Sequence, residues 1–318
     1  MNDEVLLSVC VITYNQEKFI RQTLDSILLQ EHSFSYEILI GDDCSQDKTR
    51  NIISEYAEKY PEIIVPIFNQ KNLGIVGNYF NVLGHASGKY VMECAGDDWW
   101  LPGKVTQQIE FLEQNPEIGM CYGKAKEFLN SKNRFTKKYI GKNAKDYIEQ
   151  TYGKKYIGKK CEEFSQLLER NEIPALTVCF RRELANKYFS EINPLEKDWG
   201  MEDAPMWLWF SAESKIKFID SLLGVYRVMD SSGSHFVDVE KFLRFEQSDW
   251  DKKNFFSLRY LGKEAEPYNL HPELCMLYLR NNERMLCLNE IKQCDLSLRR
   301  NRILLWIISN AFLFKVFR

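Results

Sequence analysis

The chain has 318 residues, of which 45% are hydrophobic and 27% charged, so it can bury a sizeable core and is not read as disordered. A formal net charge of −3 argues against nucleic acid as a general partner. No apolar run reaches the roughly 18–20 residues that a bilayer-spanning helix needs.

The first 120 residues alternate strand and helix. "LLSVCVITYN" (6–15) is a short apolar run that reads as a buried strand, and "EKFIRQTLDSILLQ" (17–30) sets Phe19, Ile20, Leu24, Ile27 and Leu28 at helical spacing. "YEILIGDD" (36–43) is a second strand, followed by a helix over "DKTRNIISEYAEKY" (47–60) that Pro61 stops. "EIIVPIFN" (62–69) is a third strand, with Pro66 marking an edge or a break. "GIVGNYFNVLGHA" (74–86) reads as a helix despite its glycines, "GKYVMECAG" (88–96) as a fourth strand, and "LPGKVTQQIEFLEQN" (101–115) as a helix opened by Pro102. This alternation predicts a mostly parallel α/β sheet with helices on both faces, whose ligands bind beyond the carboxyl ends of the strands. Those ends carry Thr13-Tyr14-Asn15, Asp42-Asp43, Asn69 to Asn72 and Asp97-Asp98. Like charges side by side at a strand end are costly unless a cation or strong donors compensate them.

Residues 131–160 break the rhythm, with nine lysines and one arginine against one aspartate and one glutamate; they read as a loop or an excursion over the site. "CEEFSQLLERNE" (161–172) and "RRELANKYF" (181–189) look helical, with a strand over "PALTVCF" (174–180) between them. "DWGMEDAPMWLWFSAES" (198–214) runs from a loop into an aromatic helix, and "KIKFIDSLLGVYRV" (215–228) is a strand or hairpin. Beyond about residue 236 the pattern is helical. The nine cysteines form no Cys-x-x-Cys pair, and most sit in apolar runs. Together with the lack of a leader-like N-terminal run, they predict a reducing cytoplasm.

The stretches "VCVITYNQEKFIRQTLDSILLQ", "EILIGDDCSQDKT", "NLGIVGNYFNVLGHASGKYV", "GDDWWLPGKVTQQIEFLE", "WGMEDAPMWLWFS" and "VYRVMDSSGSH", in this order, resemble the inverting glycosyltransferases of family 2, bacterial surface-polysaccharide type, with the GT-A fold. The resemblance covers about residues 5 to 235. It implies a GT-A domain over 1–235, with a nucleotide-binding half to about 120 and an acceptor half from 121, and a helical C-terminal region over 236–318. Chemistry points the same way. Sugar transfer from a nucleotide diphosphate needs the leaving group's charge neutralised, the nucleotide held, and a carboxylate to take the acceptor's proton.

The resemblance implies these roles residue by residue. Asp97 stands at the family's Asp-x-Asp motif and would hold Mn2+ or Mg2+. The motif's first acid falls at Ala95, a departure that leaves the ion to Asp97, the diphosphate and Asp98 or His235; Glu93 is two residues too early to replace it. Thr13, Tyr14 and Asn15 would form the nucleotide-binding loop, with Tyr14 stacking on uracil. Asp43 would bond the base or ribose, with Lys71 and Asn72 beside it. Asp47 is better read as a cap of the following helix. Asp203 would be the general base and Glu202 its alternative. Asp98 would meet the acceptor hydroxyl or cap the next helix, and Trp99 and Trp100 would offer a face to a sugar or pack in the core. Arg227, Ser231, Ser234 and His235 would contact phosphate.

The expected reaction moves a sugar from a UDP-sugar, with inversion, to a saccharide or lipid-linked saccharide. Two other readings stay open: a nucleotidyltransferase, disfavoured because no basic glycine-rich loop follows the first strand, and a non-catalytic nucleotide-sugar-binding module, suggested by Ala95. No Gly-x-Gly-x-x-Gly supports a dinucleotide dehydrogenase. The tail, residues 298–318, carries five cations and no acid around a short apolar stretch. It is read either as a helix on the anionic inner face of the cell membrane or as one packed on the core or on a second subunit of a homo-oligomer.

Overall fold

The computed structural model describes residues 4–129, 156–229, 238–266, 270–281, 283–295, 297–298, 305 and 308–309. The lysine-rich stretch up to residue 155, Ser231, Ser234, His235 and most of the tail lie outside the described residues. The chain divides into two compact units, Met1–Asp230 and Ser231–Arg318.

The first unit opens with β1 (Leu7–Thr13), α1 (Ile20–Leu28), β2 (Tyr36–Asp42), α2 (Thr49–Lys59), β3 (Ile64–Phe68), α3 (Gly74–Leu83) and β4 (Tyr90–Ala95). It continues with β5 (Trp99–Trp100), α4 (Lys104–Gln114), β6 (Ile118–Leu129), β7 (Tyr156–Ile157), α5 (Phe164–Glu169), β8 (Cys179–Arg181), α6 (Arg182–Ile192), α7 (Asp203–Glu213) and β9 (Lys215–Val228). Eight strands run in the order β3-β2-β1-β4-β8-β6-β9-β5, and β7 pairs with β6. The first four are parallel, as strand–helix alternation requires. β8 turns the direction by pairing antiparallel with both β4 and β6, and β9 then runs parallel to β6 over a long register. Pro66 sits in the edge strand β3, where its missing N–H costs least.

Two differences from the sequence reading have local causes. β6 has no counterpart in it, because "IGMCYGKAKEFL" mixes glycine and lysine with apolar residues and shows no clean alternation. The strand expected over 174–180 is a 3-10 turn at Ala175–Thr177 followed by the short β8, since Pro174 favours a turn over a ladder.

The core lies on the face covered by α1, α2 and α4. Val9, Val11, Ile38, Ile40, Tyr90 and Met92 point from the strands into Leu24, Ile27, Ile53, Val105 and Leu112. Alternation sends Cys10, Val91 and Glu93 to the opposite face. Aromatic packing there includes Phe80 of α3 against Tyr188 of α6, and Trp209 and Phe210 of α7 against Tyr188. Gly41 lets α3 approach β2: a Cβ there would meet Val82 Cγ2 at 2.2 Å and Asn78 Oδ1 at 2.5 Å.

The second unit contains α8 (Val239–Leu261), capped by Asp238 accepting from the Lys241 N–H, then α9 (His271–Arg280) and α10 (Arg284–Ile291). Cys275, Leu279, Cys287 and Ile291 form its small core. Among the described residues no helix is long and apolar enough to cross a membrane.

Candidate active site at the carboxyl rim of the sheet

The carboxyl ends of β1, β2 and β4 are neighbours. Thr13 is in register with Asp42, and Ile12 with Ala95. The loops leaving β1 and β2 are stitched to each other. The Asn15 N–H donates to Ser45 Oγ at 2.9 Å, and the Gln46 N–H donates to Asn15 Oδ1 at 2.8 Å. Both loops turn through left-handed backbone at non-glycine residues, Asn15 (φ 53°) and Cys44 (φ 67°), a conformation that persists only where the surroundings hold it. Asp47 accepts from the N–H of Thr49, at the start of α2, and from that of Glu17, so it ties the helix to the β1 loop.

Asp43 is buried. Its carboxylate accepts from the N–H groups of Leu73 (2.7 Å) and Gly74 (2.9 Å) and from Asn69 Nδ2 (3.0 Å), while Asn72 Nδ2 donates to its carbonyl. It thereby stabilises the N-terminus of α3, where a negative charge suits the helix dipole. Asn69 and Asn78 extend this network, with Asn78 Nδ2 reaching the Gly41 carbonyl. Asp42 pairs with Arg50 beneath the rim. Tyr14 is 46% exposed, and Lys71 and Asn72 are also exposed on the same rim.

The Asp97–Leu101 segment is held from below by polar side chains of α1 and of Gln30 just beyond its end. Thr23 Oγ1 donates to the Asp98 carbonyl (2.7 Å), Ser26 Oγ accepts from the Trp100 N–H (3.0 Å), and Gln30 Nε2 donates to the Leu101 carbonyl (3.0 Å). The spacing of three places Thr23 and Ser26 on one face of α1, and Gln30 follows the helix end on the same side. Thr13 Oγ1 bonds Gln16 Oε1, and the two press on Gly96, where a Cβ would lie 2.3 Å from Gln16 Oε1 and 2.7 Å from Thr13 Oγ1.

Two sequence expectations, for Asp98 and Arg227, are corrected here, and of the two readings for Trp99 and Trp100 core packing is the one observed. Trp99 and Trp100 are 3% and 0% exposed and present no face to a sugar. Phe128 and the Arg227 guanidinium cover Trp99, and Lys104 Nζ lies 4.3 Å from the Trp100 ring centroid. Asp98 neither reaches an acceptor nor caps α4, because it is buried and its carboxylate accepts from the Arg227 N–H at 2.8 Å. Arg227 does not reach toward phosphate. Its Nε donates to the Asp97 carbonyl and its Nη2 to Gln22 Oε1, with the ring of Phe19 against it. A guanidinium whose donors and face are engaged by the chain braces the turn instead.

Burial pushes the Asp97 carboxyl up, and Arg227 and Gln16 oppose the shift. Burial pushes Asp98 up further, and the charge on Asp97 adds to it. Two carboxyls so disfavoured as a charged pair, with Asp97 offering hard oxygen donors at the rim, are of the chemistry that suits a divalent ion. Among the described residues no three His, Cys, Asp or Glu side chains gather as a ligand set, and His235 lies outside them.

Asp203 opens α7. Its Oδ1 accepts from the Ala204 N–H, and Asn171 Nδ2 lies 3.5 Å from its Oδ2. Glu202 before it is 7% exposed, and its Oε2 has no hydrogen-bond partner. Burial, then the neighbouring Asp203, raise the Glu202 carboxyl to about 8. Sequence reasoning missed Gln16, Gln22, Asn78, Thr23, Ser26 and Gln30. Only the pair Thr23 and Ser26, polar on an otherwise apolar helix face, signalled any of them.

A family model described as glycosyl transferase family 2 matches residues 8–174. A putative teichuronic acid biosynthesis glycosyltransferase of Bacillus subtilis, TuaG, is 37% identical over 111 residues, covering 35% of this chain and 43% of that protein. The chain spans less than half the length of such curated relatives. S. aureus TarS 1-349, solved in complex with UDP-GlcNAc, superposes with a TM-score of 0.58 at 17% identity, covering 91% of this chain and 80% of that one. The Pyrobaculum calidifontis mannosyltransferase PcManGT, solved with GDP-Man and Mn2+, superposes with a TM-score of 0.52 at 13% identity, covering 99% and 87%. These structures share the fold of this chain, and with more than half of its length matching the family model, the chain belongs to glycosyl transferase family 2.

Proposed function

We propose that this chain transfers a sugar from a nucleotide-diphosphate donor, a UDP-sugar, to a hydroxyl of a saccharide or lipid-linked saccharide during surface-polysaccharide synthesis. The observation that carries the reading is the stitched rim formed by the β1, β2 and β4 ends, together with a carboxylate at the start of α7. The B. subtilis relative's name supports the polymer class, and the nucleotide sugar in the TarS structure supports the donor class.

The β1 and β2 loops and Asp43 hold the nucleoside, with the exposed Tyr14 ring available to stack on the base. Asp97 would hold Mn2+ or Mg2+, which when bound neutralises the charge of the departing diphosphate. Asp203 takes the proton from the acceptor hydroxyl as its oxygen bonds to the anomeric carbon. The carbon–oxygen bond to the diphosphate breaks on the opposite face, and the diphosphate leaves with the electron pair. One displacement inverts the anomeric centre and needs no covalent nucleophile. The α7 N-terminus favours an ionised Asp203, the form a base requires.

The test is donor hydrolysis with manganese. Wild-type protein is expected to release sugar to water, and Asp203→Asn to slow release by about 10²–10⁴-fold. Donor that binds without turnover in both proteins would mark a binding module instead.

A further inference from the structure

Three asparagines meet beside Asp43, and helix capping does not account for them. Asn69 follows β3, and Asn78 and Asn81 lie three residues apart on α3, a spacing that puts them on one helix face. Asn69 is held from three sides. Its N–H donates to the Asp42 carbonyl at 3.0 Å, and its Oδ1 accepts from Asn81 Nδ2 at 2.8 Å. Its Nδ2 donates both to Asp43 Oδ1 at 3.0 Å and to Asn78 Oδ1 at 2.9 Å. Asn78 Nδ2 in turn donates to the Gly41 carbonyl at 2.9 Å. Asn69 and Asn78 are buried, at 6% and 2% exposure. The backbone makes room for them: a Cβ at position 41 would lie 2.5 Å from Asn78 Oδ1.

The cap on α3 needs only the Asp43 carboxylate and the N–H groups of Leu73 and Gly74. Burying two further amides adds desolvation cost, and an apolar pair would fill the same space with less of it. What the amides add is a fixed carboxylate. A carboxylate accepts about four hydrogen bonds, two on each oxygen. On Asp43, Oδ1 takes the Leu73 N–H and Asn69 Nδ2, and Oδ2 takes the Gly74 N–H. Among the described residues one acceptor position is left, on Oδ2.

We propose that Asn69 and Asn78 are positioning residues of the donor site: they lock the Asp43 carboxylate so that its remaining Oδ2 position meets an N–H on the edge of the nucleobase, and they thereby set the choice of base. This rests on Asp43 holding the nucleoside. Uracil presents such an N–H at N3, where cytosine, a ring of the same size, presents a lone pair. A fixed acceptor favours the ring with the donor, because the other ring leaves two lone pairs facing each other. A carboxylate free to turn away discriminates less.

The experiment measures UDP and CDP affinities by calorimetry with manganese chloride, alongside Tm, for wild type, Asn69→Ala, Asn78→Ala, Asn81→Ala and Asp43→Asn. Wild type is expected to bind UDP at least about tenfold tighter than CDP. Asn69→Ala and Asn78→Ala should weaken UDP by about tenfold and leave CDP nearly unchanged, so that the ratio falls toward one. A merely structural role would lower Tm and weaken both nucleotides alike. Asn81→Ala removes the side-chain bond to Asn69 Oδ1 and should move the ratio in the same direction by a smaller amount. If the two buried variants fail to fold, it decides alone. The isosteric Asp43→Asn should abolish the preference. A wild-type ratio kept by every folded asparagine variant and lost in Asp43→Asn overturns the role of Asn69 and Asn78 only. A ratio that survives Asp43→Asn, or wild type that does not separate UDP from CDP, overturns the placing of Asp43 on the base. Wild-type protein that binds neither nucleotide overturns the donor reading itself.

Discussion

Glu202 is the residue whose ionisation has the clearest consequence for stability. Its carboxyl titrates at about 8 in the fold, because burial first and Asp203 second disfavour its charge. In the unfolded chain it titrates near 4.3. Above that pH the unfolded state gives up a proton that the folded state keeps, so stability falls as pH rises from the unfolded value to about 8 and is level beyond it. Glu202→Gln removes this dependence. The variant should therefore gain Tm over wild type at pH 8, by several degrees, and gain much less at pH 5, as read by thermal melts across that range. A Tm difference that does not vary with pH would show that Glu202 is ionised in the fold. Asp203, one residue on, meets a different environment through its contacts with the Ala204 N–H and Asn171.

The β1 loop and the β4–β5 turn form a tightly fitted pair of elements. Thr13 and Gln16 fill the space above Gly96, so Gly96→Ala forces a methyl into atoms 2.3 and 2.7 Å away. Overpacking of this kind costs about 1–3 kcal/mol, and here it displaces the loop that carries Tyr14 and the turn that carries Asp97. The expected result is a donor KM raised by about tenfold with a lowered Tm; an unchanged KM would separate the turn from donor binding. The strand–helix order as far as α4 was legible because the helices keep apolar stripes at helical spacing and β1, β2 and β4 are largely buried apolar runs. β6 was not legible, and neither was the fate of the aromatic pair at β5. Trp99 and Trp100 look like a sugar platform in the sequence. They are buried because β5 pairs with β9, more than 120 residues away, and because α1 fixes its backbone with Ser26.

At the scale of the molecule, the candidate site depends on loops from separated parts of the first unit, so ligand and fold are linked by mass action. A donor present at about 100 times its Kd should add about 2.7 kcal/mol of stability. UDP-N-acetylglucosamine with manganese is therefore expected to raise Tm by a few degrees. Chelation with EDTA and the Asp97→Ala variant should each remove the manganese-dependent part. A shift indifferent to both would relieve Asp97 of a metal role. All nine cysteines are free thiols and all but Cys44 are buried, so reducing agent should leave these melts unchanged.

The sequence by itself determined the alternation of elements as far as α4, the parallel half of the sheet and the placing of Asp43 and Asp97 at strand ends. Local periodicity and the rule that parallel strands end at one rim are enough for that. Tertiary structure alone decided which polar groups point outward and which are spent inside. Arg227 and Asp98 look like ligand-binding groups in the chain, but each satisfies the other's segment: the Arg227 N–H meets the Asp98 carboxylate, and its guanidinium meets the Asp97 carbonyl. Hydrogen bonds and charge couplings between residues far apart in sequence leave no periodic trace, so only the folded chain shows where they fall.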